Sequence, residues 1–350
     1  MAESIPKIMR ALVLDEYHDT PAAAIGGLKV RERPVQQPRR GQVVVRIEAA
    51  PCNPSDLLLL QGKYGTLKTL PTVPGWEGAG TVIASGGGLY GRWLVGKRVA
   101  CALRSSNRDG TWAEYFVANA SDCIPLKAAM PIEQAASFII NPMTAVALLE
   151  TAQKAGHAAA VHTAGASQLG RMLLTIAADM NYPLINLVRR DAQTELLKSS
   201  GAKYVINTSR EGFANELKDL SAKLRATAAF EAIAGDMTGI VLNALPPAST
   251  VYLYGALSQS PCASIDPIEV VFHDKSLTGF FLGNWMQKRG TLGVIRTASK
   301  VQRLLIEGRI ATTIQRRLSL DDAVEGMQQY VANMTDGKVL ITPHGAASKP

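Results

Sequence analysis

The sequence has few cysteines and no long apolar run, and each of these shortages argues against a class of protein. Its 350 residues include only four cysteines, no two closer than 22 residues and none in a CxxC pair. This spacing disfavours a zinc ribbon or a redox dithiol, and four free thiols fit a reducing compartment. No window of 18 residues is uninterruptedly apolar, and the first residues lack the basic and apolar regions of a secretory signal. We therefore expect a cytoplasmic protein with no membrane partner.

The charged residues also do not form concentrated blocks of one sign. Lys and Arg number 37 against 29 Asp and Glu, which gives a net charge of +8, yet no run holds five or six like charges. Nucleic-acid proteins usually gather their basic residues on one face or tail, so we expect no nucleic-acid partner. The excess favours mild attraction to anions such as phosphorylated cofactors. Hydrophobic residues make up 47% of the chain, which predicts a globular protein with a large core.

The first third of the chain is rich in short strand-like segments separated by Gly and Pro. The segments are Leu28 to Arg33, Gln42 to Ala49, Gly78 to Ala84, Arg98 to Ala102 and Ala113 to Val117. Strands at this spacing predict a β-barrel or sandwich.

From about residue 141 strand-like and helix-like segments alternate. They begin with a strand at 158–162, a helix at 167–180 and a strand at 184–188, and continue to a strand at 250–254. This alternation predicts an α/β fold with a doubly wound parallel sheet. After residue 285 the pattern is mixed, with helices at 295–307 and 321–333 and strands at 314–318 and 338–341, so this tail could complete either domain. We predict one domain from 1–135 with 286–350, and a dinucleotide-binding domain from 136–285.

The turn after the first strand of the alternating region is the most informative local motif. Gly165 and Gly170 occupy the first and third positions of a G-x-G-x-x-G pattern, and Ser167 occupies the second. A dinucleotide fold needs a tight turn here, so that backbone N–H groups at the helix N-terminus face the pyrophosphate. We predict that the cofactor-binding turn consists of Gly165, Ala166, Ser167, Gln168, Leu169 and Gly170. An ordinary strand-to-helix turn is the alternative.

The end of the second strand of this region indicates which cofactor is bound. Sites for NAD usually place Asp or Glu there, whereas this strand is followed by Arg189 and Arg190, with Arg189 19 residues beyond Gly170. The guanidinium group suits the 2′-phosphate of NADPH. Asp191 could instead be the N-cap of the next helix. The alternative for the two arginines is a solvated charged loop after the strand.

Several ordered segments resemble the medium-chain dehydrogenase/reductase superfamily, in its zinc-free quinone oxidoreductase and enoyl thioester reductase branches. They are Met9 to Leu14, Asn53 to Asp56, Pro74 to Gly80, Gly110 to Tyr115, Asn141 to Ala145 and Gly201 to Asn207. The resemblance covers nearly the whole chain. It implies a GroES-like β-barrel catalytic domain joined to a Rossmann domain. It also implies a homodimer formed through an edge strand, here the apolar run 277–282.

The same resemblance implies that the protein holds no metal. Zinc-dependent members place Cys where this chain has Asn53 and His where it has Trp76, and Asn and Trp cannot supply the thiolate and imidazole that catalytic zinc needs. Alcohol oxidation is therefore disfavoured, while hydride transfer to an activated double bond remains feasible.

The segment Gln61 to Gly65 is similar to the mitochondrial-type enoyl thioester reductases. In that group the tyrosine corresponding to Tyr64 protonates or orients the substrate, and Asn53 is by family position a second catalytic polar group. The resemblance implies NADPH-dependent reduction of an α,β-unsaturated carbonyl compound, either an enoyl thioester or an enone. NADPH:quinone oxidoreduction and a non-catalytic NADPH-binding role are the alternatives. For Tyr64 the alternative is a half-buried loop residue.

Overall fold

A computed structural model describes residues 4–103, 108–332 and 334–345 of the protein. The chain forms two units, the first from residues 1–140 together with 298–350 and the second from residues 141–297. The tail after residue 297 therefore joins the N-terminal unit, a choice that the sequence pattern left open. The domain limits predicted from the sequence, 1–135 with 286–350 and 136–285, stay a prediction.

The elements up to residue 136 are mostly short strands, as the Gly and Pro punctuation predicts. In chain order they are β1 (Ile8–Val13), α1 (Pro21–Gly26), β2 (Lys29–Pro34), β3 (Gln42–Pro51), α2 (Pro54–Leu60), β4 (Glu77–Ser85), α3 (Leu89–Leu94), β5 (Arg98–Ala102), β6 (Tyr115–Asn119), a 3₁₀ turn (Ala120–Asp122), β7 (Cys123–Pro125) and α4 (Ile132–Ala136).

From residue 140 strands and helices alternate. The elements are α5 (Ile140–Lys154), β8 (Ala159–His162), α6 (Gln168–Asp179), β9 (Leu184–Val188), α7 (Asp191–Ser199), β10 (Tyr204–Asn207), α8 (Phe213–Leu224), β11 (Ala226–Glu231), α9 (Asp236–Ala244), β12 (Thr250–Leu253), α10 (Pro267–Val271) and β13 (Ser276–Gly279). The chain ends with α11 (Leu282–Ile306), β14 (Ile314–Leu318), α12 (Ala323–Ala332) and β15 (Lys338–Ile341).

In the first unit a largely antiparallel sheet has the order β14-β15-β3-β4-β5-β7, with β6 also paired to β3, and a separate hairpin joins β1 to β2. The C-terminal β15 joins this sheet by pairing with β3, where Leu340 and Ile341 lie opposite Pro51 and Ala50. Its apolar side chains share one core with those of the N-terminal strands, around the fully buried Trp112. This pairing brings the C-terminal strand β15 next to the end of β3, just before the start of α2.

In the second unit six parallel strands have the order β10-β9-β8-β11-β12-β13. The central strands β8 and β9 are buried along their whole length, as expected for a parallel sheet covered by helices on both faces. This topology confirms the doubly wound fold predicted from the alternating pattern. The chain order reverses between β8 and β11, and ligands of such sheets bind at the carboxyl ends of the strands beside that point.

Two elements differ from the sequence-based expectation. The helix expected at 295–307 begins 13 residues earlier, at Leu282, and has a non-helical residue at Gly290. Leu282, Trp285 and Met286 have helical spacing there, but three glycines at 283, 290 and 293 weaken the helix signal of this segment. The edge strand expected at 277–282 ends at Gly279, because α11 begins three residues later. In the described ranges, no helix has both the length and the apolar content needed to cross a membrane.

Candidate functional site

The turn between β8 and α6 has the close geometry that a pyrophosphate cradle requires. A side chain at Gly170 would place its Cβ 2.3 Å from the carbonyl oxygen of Gly165, so only glycine fits. The Gly165 N–H donates to Leu187 O at 2.9 Å and fixes the turn against β9. The Ser167 hydroxyl accepts from the Gly170 N–H at 3.0 Å and caps α6, which leaves its own proton free to donate to a ligand.

The six turn residues that the sequence predicted lie together in the structure, but their side chains are not all accessible to a cofactor. Ala166, Gln168 and Leu169 are buried. Ala166 and Leu169 have apolar side chains that pack inside the protein, so they can contact a cofactor only through their backbone. The first N–H groups of a helix lack intrahelical acceptors and attract anions. The turn therefore offers backbone donors and one hydroxyl to a phosphate.

Arg189 and Arg190 follow β9 and are exposed at the carboxyl end of the strand next to β8. Asp191 is the first residue of α7, and Arg190 is the N-cap, so the alternative of a capping Asp191 is wrong. The Asp191 carboxylate accepts from Asn207 Nδ2 at 2.9 Å and from Arg210 at 2.8 Å, and these contacts lower its pKa. The Asp191 carboxylate thus stays ionised, and its negative charge is paired with a third arginine, Arg210, which the sequence analysis missed.

A buried carboxylate fixes the neighbouring strand ends. Glu231, the last residue of β11, is fully buried and accepts from Thr163 Oγ1 at 3.1 Å and from Thr238 Oγ1 at 3.0 Å. It also accepts from the N–H groups of Ile233 and Ala234 at 2.7 and 2.8 Å. Four donors therefore hold one carboxylate, which joins the start of the cofactor turn to the loop after β11. A glutamate that ends an apolar strand is the only signal in the sequence.

His162, the last residue of β8, lies below this edge as a neutral imidazole. Burial lowers its pKa to about 3. Its Nε2 lies 2.8 Å from the Tyr254 hydroxyl, and the two rings stack with centroids 6.0 Å apart. Tyr254, in the segment after β12, is thus a polar partner of this buried ring.

These features fit a phosphorylated dinucleotide. Bound there, NADPH would have its pyrophosphate held by the backbone of Gly165 to Gly170 and its 2′-phosphate by Arg189 and Arg190. The tight approach of Gly170 to Gly165 and the pairing of the neighbouring Asp191 with Arg210 are the observations that support this fit.

In the first unit a chain of buried polar groups runs beneath α2. Lys338, at the start of β15, donates from Nζ to Asn53 Oδ1, and Asn53 Nδ2 donates to Glu77 Oε1 at 3.0 Å. The other Glu77 oxygen accepts from the N–H groups of Ile139 and Ile140, each at 2.9 Å. Burial raises the pKa of Glu77 and lowers that of Lys338.

Asp56 connects this chain to Trp76. Its carboxylate accepts from the backbone N–H of Asn53 at 2.8 Å and from that of Trp76 at 3.0 Å. Burial raises the pKa of Asp56 to about 7 despite both hydrogen bonds. Asn53 is itself buried and uses both side-chain polar atoms inside the protein. It can therefore position its neighbours, whereas a direct contact with a substrate would require it to give up one of these bonds.

Tyr64 lies against Trp76, with ring centroids 4.6 Å apart and planes tilted by 35°. Trp76 is held by a hydrogen bond from its indole N–H to Ser55 O at 3.2 Å. The Tyr64 ring is partly buried, and its hydroxyl has no hydrogen bond to the residues that the structure describes. Burial, and then the nearby Asp56 carboxylate, raise the Tyr64 pKa, which keeps the phenol protonated at neutral pH.

A buried lysine that the sequence analysis missed packs on the same indole. Lys68 Nζ lies 5.4 Å from the centroid of a Trp76 ring and donates to Val73 O at 2.8 Å. Burial lowers the Lys68 pKa to about 8. Tyr64, Trp76 and Lys68 form what we call the Trp76 cluster. It offers one phenol as a hydrogen-bond donor and a cation whose charge is easily lost.

The predicted absence of a metal stays a prediction. In the described part of the chain, no group of three or more His, Cys, Asp or Glu side chains is arranged to hold a metal ion. Cys52, one residue from the position where zinc-dependent members have a ligand, is buried, and burial raises its thiol pKa well above the usual value.

Comparison with known proteins identifies the chain's relatives. The family model of the alcohol dehydrogenase GroES-like domain matches residues 39–128, and that of the zinc-binding dehydrogenases matches residues 169–297. The mitochondrial enoyl-[acyl-carrier-protein] reductase of Bos taurus is 30% identical over 295 residues, which cover 81% of this chain and 75% of the relative.

Solved structures resemble this chain over nearly its whole length. One is a candidate NADPH:quinone reductase from Mesorhizobium loti, with a TM-score of 0.90 and 33% identity, over 97% of this chain and 100% of that one. Another is a mycobacterial protein in complex with NADPH, with a TM-score of 0.79 and 25% identity, over 96% and 100% of the two chains.

Proposed function

We propose that this chain, which belongs to the zinc-free branch of the medium-chain dehydrogenase/reductase superfamily, reduces the activated double bond of an α,β-unsaturated carbonyl compound with NADPH. Membership makes the chain an oxidoreductase. An enoyl thioester or an enone is the substrate class. The observation that carries this proposal is Tyr64, whose ring lies against Trp76 and whose hydroxyl has no hydrogen bond to a described residue.

The second unit would select and hold the cofactor. When bound, NADPH supplies the hydride for the β-carbon. The backbone of Gly165 to Gly170 would bind the pyrophosphate, and Arg189 and Arg190 would bind the 2′-phosphate that distinguishes NADPH from NADH. Glu231 would hold Thr163 and the loop after β11 in place next to the cofactor-binding turn.

The first unit would supply the donor for the developing negative charge. Hydride addition to the β-carbon puts charge on the carbonyl oxygen, and a fixed hydrogen-bond donor at that oxygen stabilises the transition state. The Tyr64 phenol is such a donor, and its raised pKa keeps the proton in place at neutral pH. Asn53, predicted as a catalytic group, would act as a positioning residue that links Glu77 to Lys338.

This function is tested by measuring NADPH oxidation with three classes of acceptor, namely an enoyl thioester, a small enone and a quinone. We expect turnover with a crotonyl-type thioester or a small enone, and a clear preference for NADPH over NADH. Turnover with neither acceptor would contradict the proposal.

Quinone reduction is the second candidate function. It is supported by the Mesorhizobium loti relative, which resembles this chain over nearly its whole length and is named for that activity. A quinone needs only hydride and a proton, which solvent can provide. Faster turnover with a quinone than with the thioester or the enone would favour this alternative.

A second copy of the chain is the proposed partner of the sheet edge. Among the described strands β13 pairs with β12 alone, and all four of its residues are exposed. The exposed Val271 and Phe272 lie nearby, at the end of α10. An unpaired strand edge is an aggregation hazard unless it is covered, which favours a homodimer through β13. Light scattering should give twice the mass of one chain; a stable monomer at micromolar concentration would contradict this.

A further inference from the structure

The short helix α3 carries an apolar surface that the proposed function does not use. Gly91 and Leu94 face the core, whereas Leu89, Tyr90 and Trp93 are 90%, 44% and 53% exposed. The rings of Tyr90 and Trp93 stack with centroids 5.6 Å apart, and the Tyr90 hydroxyl donates to Cys123 O at 3.1 Å. Three large side chains thus form an outward-facing surface, which we call the α3 patch, and the stacking holds two of them in place.

Four basic residues lie around this patch. Arg92 is on α3, and Lys97 Nζ lies 4.4 Å from the centroid of a Trp93 ring. Arg39 and Arg40 precede Gly41, whose N–H donates to Gly87 O at 3.1 Å and joins their turn to the loop before α3. The segments 38–41, 85–97 and 119–123 contain one acidic residue, Asp122, which is buried and accepts from Asn119 at 2.8 Å.

We propose that the α3 patch docks this protein on an anionic lipid bilayer. Leu89 and Trp93 would enter the boundary between headgroups and acyl chains, where Trp and Tyr are enriched, and the four cations would lie over anionic headgroups. This departs from the expectation of no membrane partner, which rested on the lack of a spanning segment. An interfacial patch needs no such segment.

Charge and shape argue against other occupants. A second copy of the chain docked about a two-fold axis through this patch would place four cations opposite four cations, which disfavours that pairing. A nucleic acid would attract the cations, but its phosphate backbone offers no apolar surface for the side chain of Leu89. A bilayer accommodates both the charges and the apolar side chains.

Co-sedimentation of the full chain with vesicles tests the proposal. We expect binding to phosphatidylcholine mixed with phosphatidylglycerol, little binding to phosphatidylcholine alone, and release at high salt. Arg92→Gln with Lys97→Gln should weaken binding about 25-fold, since each basic residue near an anionic surface is worth about fivefold. Leu89→Gln with Trp93→Gln should weaken binding at least about tenfold.

A charge-matched control is Lys218→Gln with Lys223→Gln, two exposed residues on α8. It should bind vesicles almost as the wild type does. Brominated acyl chains should quench tryptophan fluorescence in the wild type and much less in Trp93→Phe, because Trp76 and Trp112 are buried and the half-buried Trp285 lies on α11, away from the α3 segment of the chain.

Three outcomes would overturn the proposal. They are no binding to the mixed vesicles, an equal loss in the α3 and α8 variants, and binding to duplex DNA without binding to vesicles.

Discussion

Replacing Lys338 by Met removes the cation from the buried chain Lys338–Asn53–Glu77. The variant keeps most of the side-chain volume but leaves Asn53 Oδ1 without its donor and the buried Glu77 and Asp56 carboxylates without a balancing charge. Removing one partner of a buried ionic group costs about 3–5 kcal/mol. For a unit of this size that corresponds to a melting temperature lower by about 6–20 °C.

Glu77→Gln alone should also destabilise the unit. Lys338 holds Asn53 Oδ1, so Asn53 must direct its Nδ2 at the side chain of residue 77, and the introduced glutamine would have to accept there with one oxygen. That oxygen is already needed by the N–H groups of Ile139 and Ile140. The Nε2 group of the glutamine would therefore face another donor, at a cost of about 1–3 kcal/mol.

The double variant should be less destabilised than the two single variants suggest. Without Lys338 the Asn53 amide can rotate and accept from the amide group of the introduced glutamine, and the buried Glu77 charge, which lacks its balancing cation in Lys338→Met, is removed. We expect a favourable coupling of about 1–3 kcal/mol between the two sites.

Thermal unfolding at neutral pH, followed by near-ultraviolet circular dichroism and by tryptophan fluorescence, to which the buried Trp76 and Trp112 contribute, measures this cycle. Lys223→Met on the surface of α8 is the control and should change stability by less than about 0.5 kcal/mol. Additive effects of the two substitutions, or a loss below about 1 kcal/mol for Lys338→Met, would refute the reasoning.

Two further predictions concern the cofactor arginines and Lys68. Arg189→Ala with Arg190→Ala should weaken NADPH binding at least about tenfold and leave NADH binding nearly unchanged, since each charge-assisted hydrogen bond contributes about 1.5–3 kcal/mol; a fluorescence titration in which both cofactors weaken equally would contradict the assignment. The pKa of Lys68 is lowered to about 8 in the folded protein. Above that pH the folded protein therefore binds fewer protons than the unfolded chain. The free energy of unfolding should rise by about 3 kcal/mol between pH 8 and the pKa of an unperturbed lysine. Lys68→Met should lack this rise in melting temperature; the same pH profile in both proteins would exclude Lys68 as its source.

The sequence predicted best the parts of the molecule that are set by local pattern. β9 and β15 begin and end at the predicted residues, because buried apolar runs leave a clear trace. The turn at Gly165 to Gly170 was located in the same way. The assignment of fold and family is confirmed by the family models and the relatives.

The polar chain in the first unit could not be predicted in this way. Lys338 and Asn53 are 285 residues apart, and only the pairing of β15 with β3 brings them together. A lysine at the start of a strand gives no sign in the sequence that it is buried. The same limit applies to Arg210 and Glu231, whose partners Asp191 and Thr163 follow the neighbouring strands β9 and β8.

The roles predicted for Tyr64, Asn53 and the cofactor residues stay predictions. The geometry separates the first two physically, since the Tyr64 hydroxyl has no bond to a described residue whereas both polar atoms of Asn53 are bonded within the protein. Of these two residues, Tyr64 can therefore donate to a substrate without first breaking an internal hydrogen bond.

Turnover of Tyr64→Phe with a crotonyl-type thioester and with a quinone, measured side by side, tests the central claim most directly. The ring and its packing on Trp76 remain, so melting temperature and NADPH affinity should barely change. Loss of one transition-state donor costs about 2.7–4 kcal/mol, and we expect turnover with the thioester to fall by roughly 10²–10³ while turnover with the quinone falls little. Turnover within about threefold of the wild type on both acceptors would remove Tyr64 from the mechanism and contradict the account.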